Sequence, residues 1–166
     1  MASGGARRRS EGVIVRISFN RRAGFIAACT ALAFGLGAVG AIAQDVVQQR
    51  KDLMKSYGAA MKVIGDAVKA GGTLDAAAIA DKAAIVRNNA TKIVALFPAG
   101  STSAGALPAI WEKPDEFKDW AMKLGTAAAA LDQAARDNKL GDGKALVGAV
   151  GGTCVGCHKV FQKPAS

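Results

Sequence analysis

From about residue 45 to residue 162, apolar side chains return at steps of three and four, the period of helices that each bury one face. In the first stretch, about Asp45 to Ala70, one face carries Val47, Arg50, Met54, Tyr57, Met61, Ile64 and Val68. Gly71-Gly72 is the expected stop, because glycine accepts the left-handed conformation that ends a helix. Thr73 is the expected N-cap of a second helix with Ile79, Ala83, Val86, Ala90, Ile93 and Phe97 inward, ended by Pro98. A longer connection, Ala99 to Lys113, contains Pro108 and Trp111 and is the kind of segment that crosses a bundle end or covers a site. Pro114 suits the first turn of a third helix, with Asp115 and Glu116 at its positive end and an inner face of Phe117, Trp120, Leu124, Ala127, Leu131 and Ala134. Asp142 caps a fourth helix running to about Gln162, with Leu146, Val150, Cys154, Cys157 and Phe161 on one side.

Four amphipathic helices joined by three connections predict an all-α fold, an antiparallel up-down four-helix bundle around one core. Its inner faces are rich in alanine, which leaves room for a large flat guest. No Gly/Ser-rich linker or long repeat divides residues 44–166, so this stretch reads as one domain.

The first 43 residues have a different character. Arg7, Arg8, Arg9, Arg16, Arg21 and Arg22 precede a nearly uncharged run, Ala23 to Ala43, that ends in Ala41-Ile42-Ala43 before Gln44. That layout predicts a cleavable export signal over residues 1–43 and a periplasmic mature chain without a stable membrane anchor. A retained membrane span is the competing reading, since the run has the length to cross a bilayer. Arg21-Arg22 also raises twin-arginine export, whose motif the flanking residues fit loosely. Of the 22 basic and 13 acidic residues, six and one lie before Gln44, so 16 remain against 12 and the net charge falls from +9 to +4. Most of the net positive charge belongs to targeting, and nucleic-acid binding loses its main support.

Cys29 falls within the leader, which leaves two cysteines in the segment Cys154-Val155-Gly156-Cys157-His158. This is the attachment signature of c-type haem. Thiols at i and i+3 lie on one side of a helix, where each can add to a haem vinyl group, and His158 follows at i+4 from Cys154 to bind the iron. Gly156 places no side chain between the cysteines and so lets the ring approach the backbone. A zinc site needs further ligands, and a dithiol redox pair expects a βαβ setting rather than the end of a helical chain. His158 is the only histidine. Two histidines on one iron are thus excluded within the chain, leaving methionine, another weak ligand or nothing for the sixth position.

With these residues in view, the chain resembles the class II cytochromes c, the cytochrome c′ family with its low-spin c-556 type. The resemblance rests on Arg50-Lys51-Asp52-Leu53-Met54, on Leu96-Phe97-Pro98, on Ile110-Trp111 with Pro114 and Phe117, and on Cys154 to His158 with Phe161. It implies one covalent haem c near the C-terminus of a four-helix bundle, and dimers formed through the first two helices. One departure is that Gln162, with Lys163 beside it, stands where the family often has Arg or Lys.

The resemblance also places Met54 toward the iron. There it is either an axial ligand, as in the low-spin electron carriers, or a lid over an open iron that binds nitric oxide or carbon monoxide. Core filling is the alternative for a flexible thioether, and Met61 and Met122 share that possibility. Arg50 is the one charge on its apolar face; an unpaired buried guanidinium is costly, so a haem propionate is the expected partner. Trp111 and Trp120 either line the haem cleft or anchor the core. Lys118, Lys123, Lys139 and Lys144 read as solvated helix faces able to steer an acidic redox partner. The functional expectation is electron transfer with redox partner proteins, with binding of small diatomic gases as the alternative. Enzyme activity is not expected, because peroxidase-like chemistry wants a distal acid/base and the one histidine is proximal.

Overall fold

Among the described residues, helix-period patterning with clear terminators gives four long α-helices and one short one. The computed structural model describes residues 35–70 and 75–164, with side chains from residue 45 onward. Helix α1 spans Gly35–Lys69, α2 Ala76–Ala90, α3 Ala109–Glu112, α4 Pro114–Arg136 and α5 Gly143–Phe161. The long helices pack in the cyclic order α1, α2, α4, α5, with α2 against α4 the most extensive pairing and α1 against α5 the sparsest. This is the expected four-helix bundle. The backbone of α1 continues N-terminally past Gln44 to Gly35. Most of the expected leader, as well as Gly71-Gly72 and Thr73, lies outside the described residues. No described helix is long and apolar enough to cross a membrane.

Local chemistry accounts for the helix ends. Asp75 caps α2, its carboxylate accepting from the Ala78 N–H at 3.0 Å. The helix ends earlier than the expected stop at Pro98: after Ala90 the chain tightens into i to i+3 hydrogen bonds and a 3₁₀ turn over Val94–Leu96. Ile93 is still buried there, which explains why the apolar period ran on. Pro114 occupies the first turn of α4 as expected. The other end of α4 closes through Asn138 in the left-handed region (φ 54°), with the Lys139 N–H donating back to Ala134 O at 2.8 Å.

The core follows the patterned faces, with one shift. On α4 the buried apolar positions are Phe117, Ala121, Leu124, Ala128, Leu131 and Ala135, so Trp120, Ala127 and Ala134 of the expected stripe sit at its half-buried margin. Ala83 and Ala90 of α2 are buried as well, and small residues on both helices suit the extensive α2–α4 pairing. Buried beside them is Asp132, 1% exposed, held by Arg87 of α2 and by Arg136 one turn on, each at 2.7 Å. That pin between two helices was not legible in the apolar pattern. The long connection, which contains α3, is tied to the end of α5 by Leu107 N–H to Phe161 O and Lys163 N–H to Gly105 O.

Candidate haem site

Where α1 and α5 separate, the bundle holds a cavity of about 750 Å³ with a largely apolar lining. Met54, Tyr57 and Met61 line it from α1, and Cys154, Cys157 and His158 line it from α5. Phe97, Phe117, Trp120 and Phe161 complete its walls. The helical spacing therefore does what the sequence predicts, setting both sulfurs and the imidazole on one wall. Both cysteines are half-buried free thiols and His158 is exposed. Burial pushes the Cys154 thiol up and raises Cys157 to about 11, the neighbouring Cys154 adding to the second shift. Desolvation holds His158 below its ordinary value, which favours the neutral imidazole that binds a metal. Among the described residues, no three His, Cys, Asp or Glu side chains gather to hold a bare metal ion.

Arg50 is buried, 5% exposed, as its place on the apolar face implied. Its partners within the protein lie on the 96–101 turn. Nε donates to Leu96 O at 2.5 Å, one terminal nitrogen to Ser101 O at 2.6 Å, and the other to the Ser101 hydroxyl. The guanidinium carbon also lies 4.0 Å from the centre of the Phe97 ring. Neutral acceptors on the 96–101 turn offset part of the cost of its burial. Desolvation lowers the Arg50 pKa from its usual value. The same turn is held from the other side by Trp111, whose indole N–H lies 3.1 Å from both Phe97 O and Pro98 O. Trp111 is thus an anchor of the turn, whereas Trp120 is the tryptophan that lines the cavity.

Two features escaped the sequence reading. The bare backbone of Gly156 receives the six-membered ring of Trp120, and a Cβ there would overlap it. The close neighbour that requires glycine is thus an indole. The second is Tyr57, 6% exposed, a cavity-lining residue whose buried hydroxyl has no hydrogen-bond partner among the described residues. A stripe of helix-face residues gave no reason to single it out.

The residues fit a large flat apolar cofactor: a roomy apolar cavity, two thiols and an imidazole on one wall, a thioether on α1, and a buried hydroxyl awaiting an acceptor. Comparison with known proteins agrees. The family model described as Cytochrome C' matches residues 45–162. Cytochrome c' of Rhodopseudomonas palustris is 38% identical over 131 residues, covering 76% of this chain and 88% of that protein. Cytochrome c-556 of Agrobacterium fabrum is 34% identical over 134 residues, covering 80% and 91%. The solved structure of cytochrome c' from Rhodopseudomonas palustris superposes with a TM-score of 0.63 at 35% identity, covering 74% of this chain and 98% of that one. The chain belongs to the cytochrome c′ family of class II cytochromes c, and its cofactor is a covalently bound c-type haem.

Proposed function

We propose that this protein is a periplasmic electron carrier whose haem is attached through Cys154 and Cys157, with His158 and Met54 as the two axial ligands of the iron. The observation that carries the reading is that an imidazole and a thioether, borne by α5 and α1, line one apolar cavity together with both thiols. When bound, haem supplies one-electron exchange at its iron, at a potential set by axial ligands and burial. The chain's part is to hold that group rigid and dry. The aromatic walls exclude water, and Arg50 braces the 96–101 turn. Arg50 spends one N–H on each of its three acceptors, so two further N–H groups remain on the cavity-lining guanidinium for a haem propionate.

The same proposal makes residues 1–43 an export signal and 44–166 the mature domain, supported by the arginines, the uncharged run and the Ala-Ile-Ala end. Redox proteins are the proposed partners. Val63 of α1 and Ile85 of α2 are exposed, which suits pairing of two copies through those helices. No catalytic role is proposed, since the one histidine is committed to the iron.

A second reading, binding of nitric oxide or carbon monoxide at an open iron, is favoured by the wall around Met54. Met61 lines the same cavity two turns on, so the thioethers form an apolar cover whether or not one of them is a ligand. The oxidised-state spectrum decides. A methionine-to-iron charge-transfer band that Met54→Ala replaces with a high-spin spectrum supports the carrier. A high-spin wild type that responds to nitric oxide, with no spin change in Met54→Ala, contradicts it.

A further inference from the structure

The cavity between α1 and α5 reaches the surface where residues that line it are themselves exposed. Among the described residues of the two helices these are Lys51, Lys55 and Gly58 on α1, and His158 and Gln162 on α5. Four of the five carry side chains able to lie over the opening. Gly58 carries none, and a Cβ there would meet no described neighbour within 4 Å. Its place on the helix gives the gap a direction. Gly58 follows Met54 by four residues and precedes Met61 by three, so it sits between the two thioethers on one face of α1. Both methionines line the cavity. Cys154, Cys157 and His158 hold the haem from the α5 wall, which leaves α1 to face the other side of the iron. The gap at Gly58 therefore opens opposite the imidazole, and its thioether edges favour a small uncharged molecule over an ion.

We propose that Gly58 is the portal by which a diatomic gas, carbon monoxide or nitric oxide, passes from solvent to the iron. The inference rests on the haem attachment proposed above and deepens the gas-binding reading by naming the route. Gly105 is the contrasting position. It too is an exposed, uncrowded glycine at the cavity, but it lies beside the end of α5, the helix that bears the imidazole, where its carbonyl accepts from the Lys163 N–H at 3.1 Å. A portal sets a barrier without touching the bound ligand. Filling it slows entry and escape by the same factor and leaves the affinity unchanged, whereas a side chain that touched the bound gas would change the affinity.

The test measures carbon monoxide binding to reduced protein by flash photolysis and ligand replacement, in a Met54→Leu parent. Leucine keeps the bulk of methionine but cannot bind the iron, so the iron is open in every sample. Each sample is first shown by haem stain on a denaturing gel to carry covalent haem. Gly58→Leu should lower the association and dissociation rates together by about tenfold, or about 1.4 kcal/mol in the barrier, with the dissociation constant unchanged. Gly105→Leu should leave both rates as in the parent. Gly58→Ala, a better helix former than glycine, should slow both rates by about twofold and carries the test if leucine there does not fold. Rates indifferent to the Gly58 variants, an equal slowing by Gly105→Leu, or an altered dissociation constant overturns the portal while leaving haem attachment intact. A parent with covalent haem that binds no carbon monoxide overturns the gas-binding reading and the portal with it. A parent without covalent haem overturns attachment as well.

Discussion

At the residue scale, the attachment segment depends on Gly156 for a reason its neighbours supply. The Trp120 ring lies on that backbone, so Gly156→Ala must push the indole aside. We expect it to lower stability by about 1–3 kcal/mol, the range of overpacking, with a changed tryptophan environment. A urea titration followed by fluorescence checks both, and an unchanged midpoint would mean that the indole moves freely. Tyr57 gives a pH prediction. Its folded pKa is raised, mainly by burial, above an unfolded value of about 10. The stability tied to the neutral phenol is therefore fully present below about pH 10 and is lost as pH rises beyond it. Phenolate absorbance should appear together with loss of helical circular dichroism, whereas ionisation of a still-folded chain would show that water reaches the hydroxyl. Attachment chemistry was legible here because its residues are contiguous. The partners of Arg50 were not, because they are main-chain carbonyls on a turn 46 to 51 residues away in sequence.

Among the elements, α5 combines the attachment motif with a weak helix-forming sequence. Gly148, Gly151, Gly152 and Gly156 all lie within it, and only at Gly156 would a Cβ meet a neighbour. Glycine in a helix interior costs about 0.5–1 kcal/mol relative to alanine. Gly148→Ala, at an exposed position, should therefore stabilise the folded protein by about that amount in thermal unfolding. A loss of stability would show that the site is more crowded than the structure indicates. The α2–α4 pairing offers the converse case. Asp132→Ala removes a buried carboxylate but leaves Arg87 and Arg136 able to reach water, their side chains being 43% and 53% exposed. The expected cost is about 2 kcal/mol, from loss of the two ion pairs rather than a stranded cation, and denaturant unfolding measures it. The apolar period located every long helix and most buried positions. It could not locate the end of α2, where 3₁₀ turns keep Ile93 inward, or the face of α4 that packs against α2, where alanine gives little contrast between inside and margin.

For the whole molecule, the alanine-rich faces and the large cavity between α1 and α5 belong together: the bundle is closed by its cofactor rather than by side chains. A chain unable to attach haem, Cys154→Ala/Cys157→Ala, should be destabilised by about 5 kcal/mol or more, beyond the usual cost of a single large core truncation. Equal melting temperatures would mean that the cavity collapses without penalty. The fold and the cofactor were readable because helix period and a contiguous motif are local signals; what holds each wall of the cavity was not, because those contacts form only when distant turns meet. The most direct measurement is the intact mass of exported protein after acid denaturation, with a pyridine haemochrome spectrum. The account predicts one haem per chain, retained through denaturation, with the spectrum of a doubly thioether-linked haem. Protein of the bare polypeptide mass, or haem that acid extracts, would contradict it.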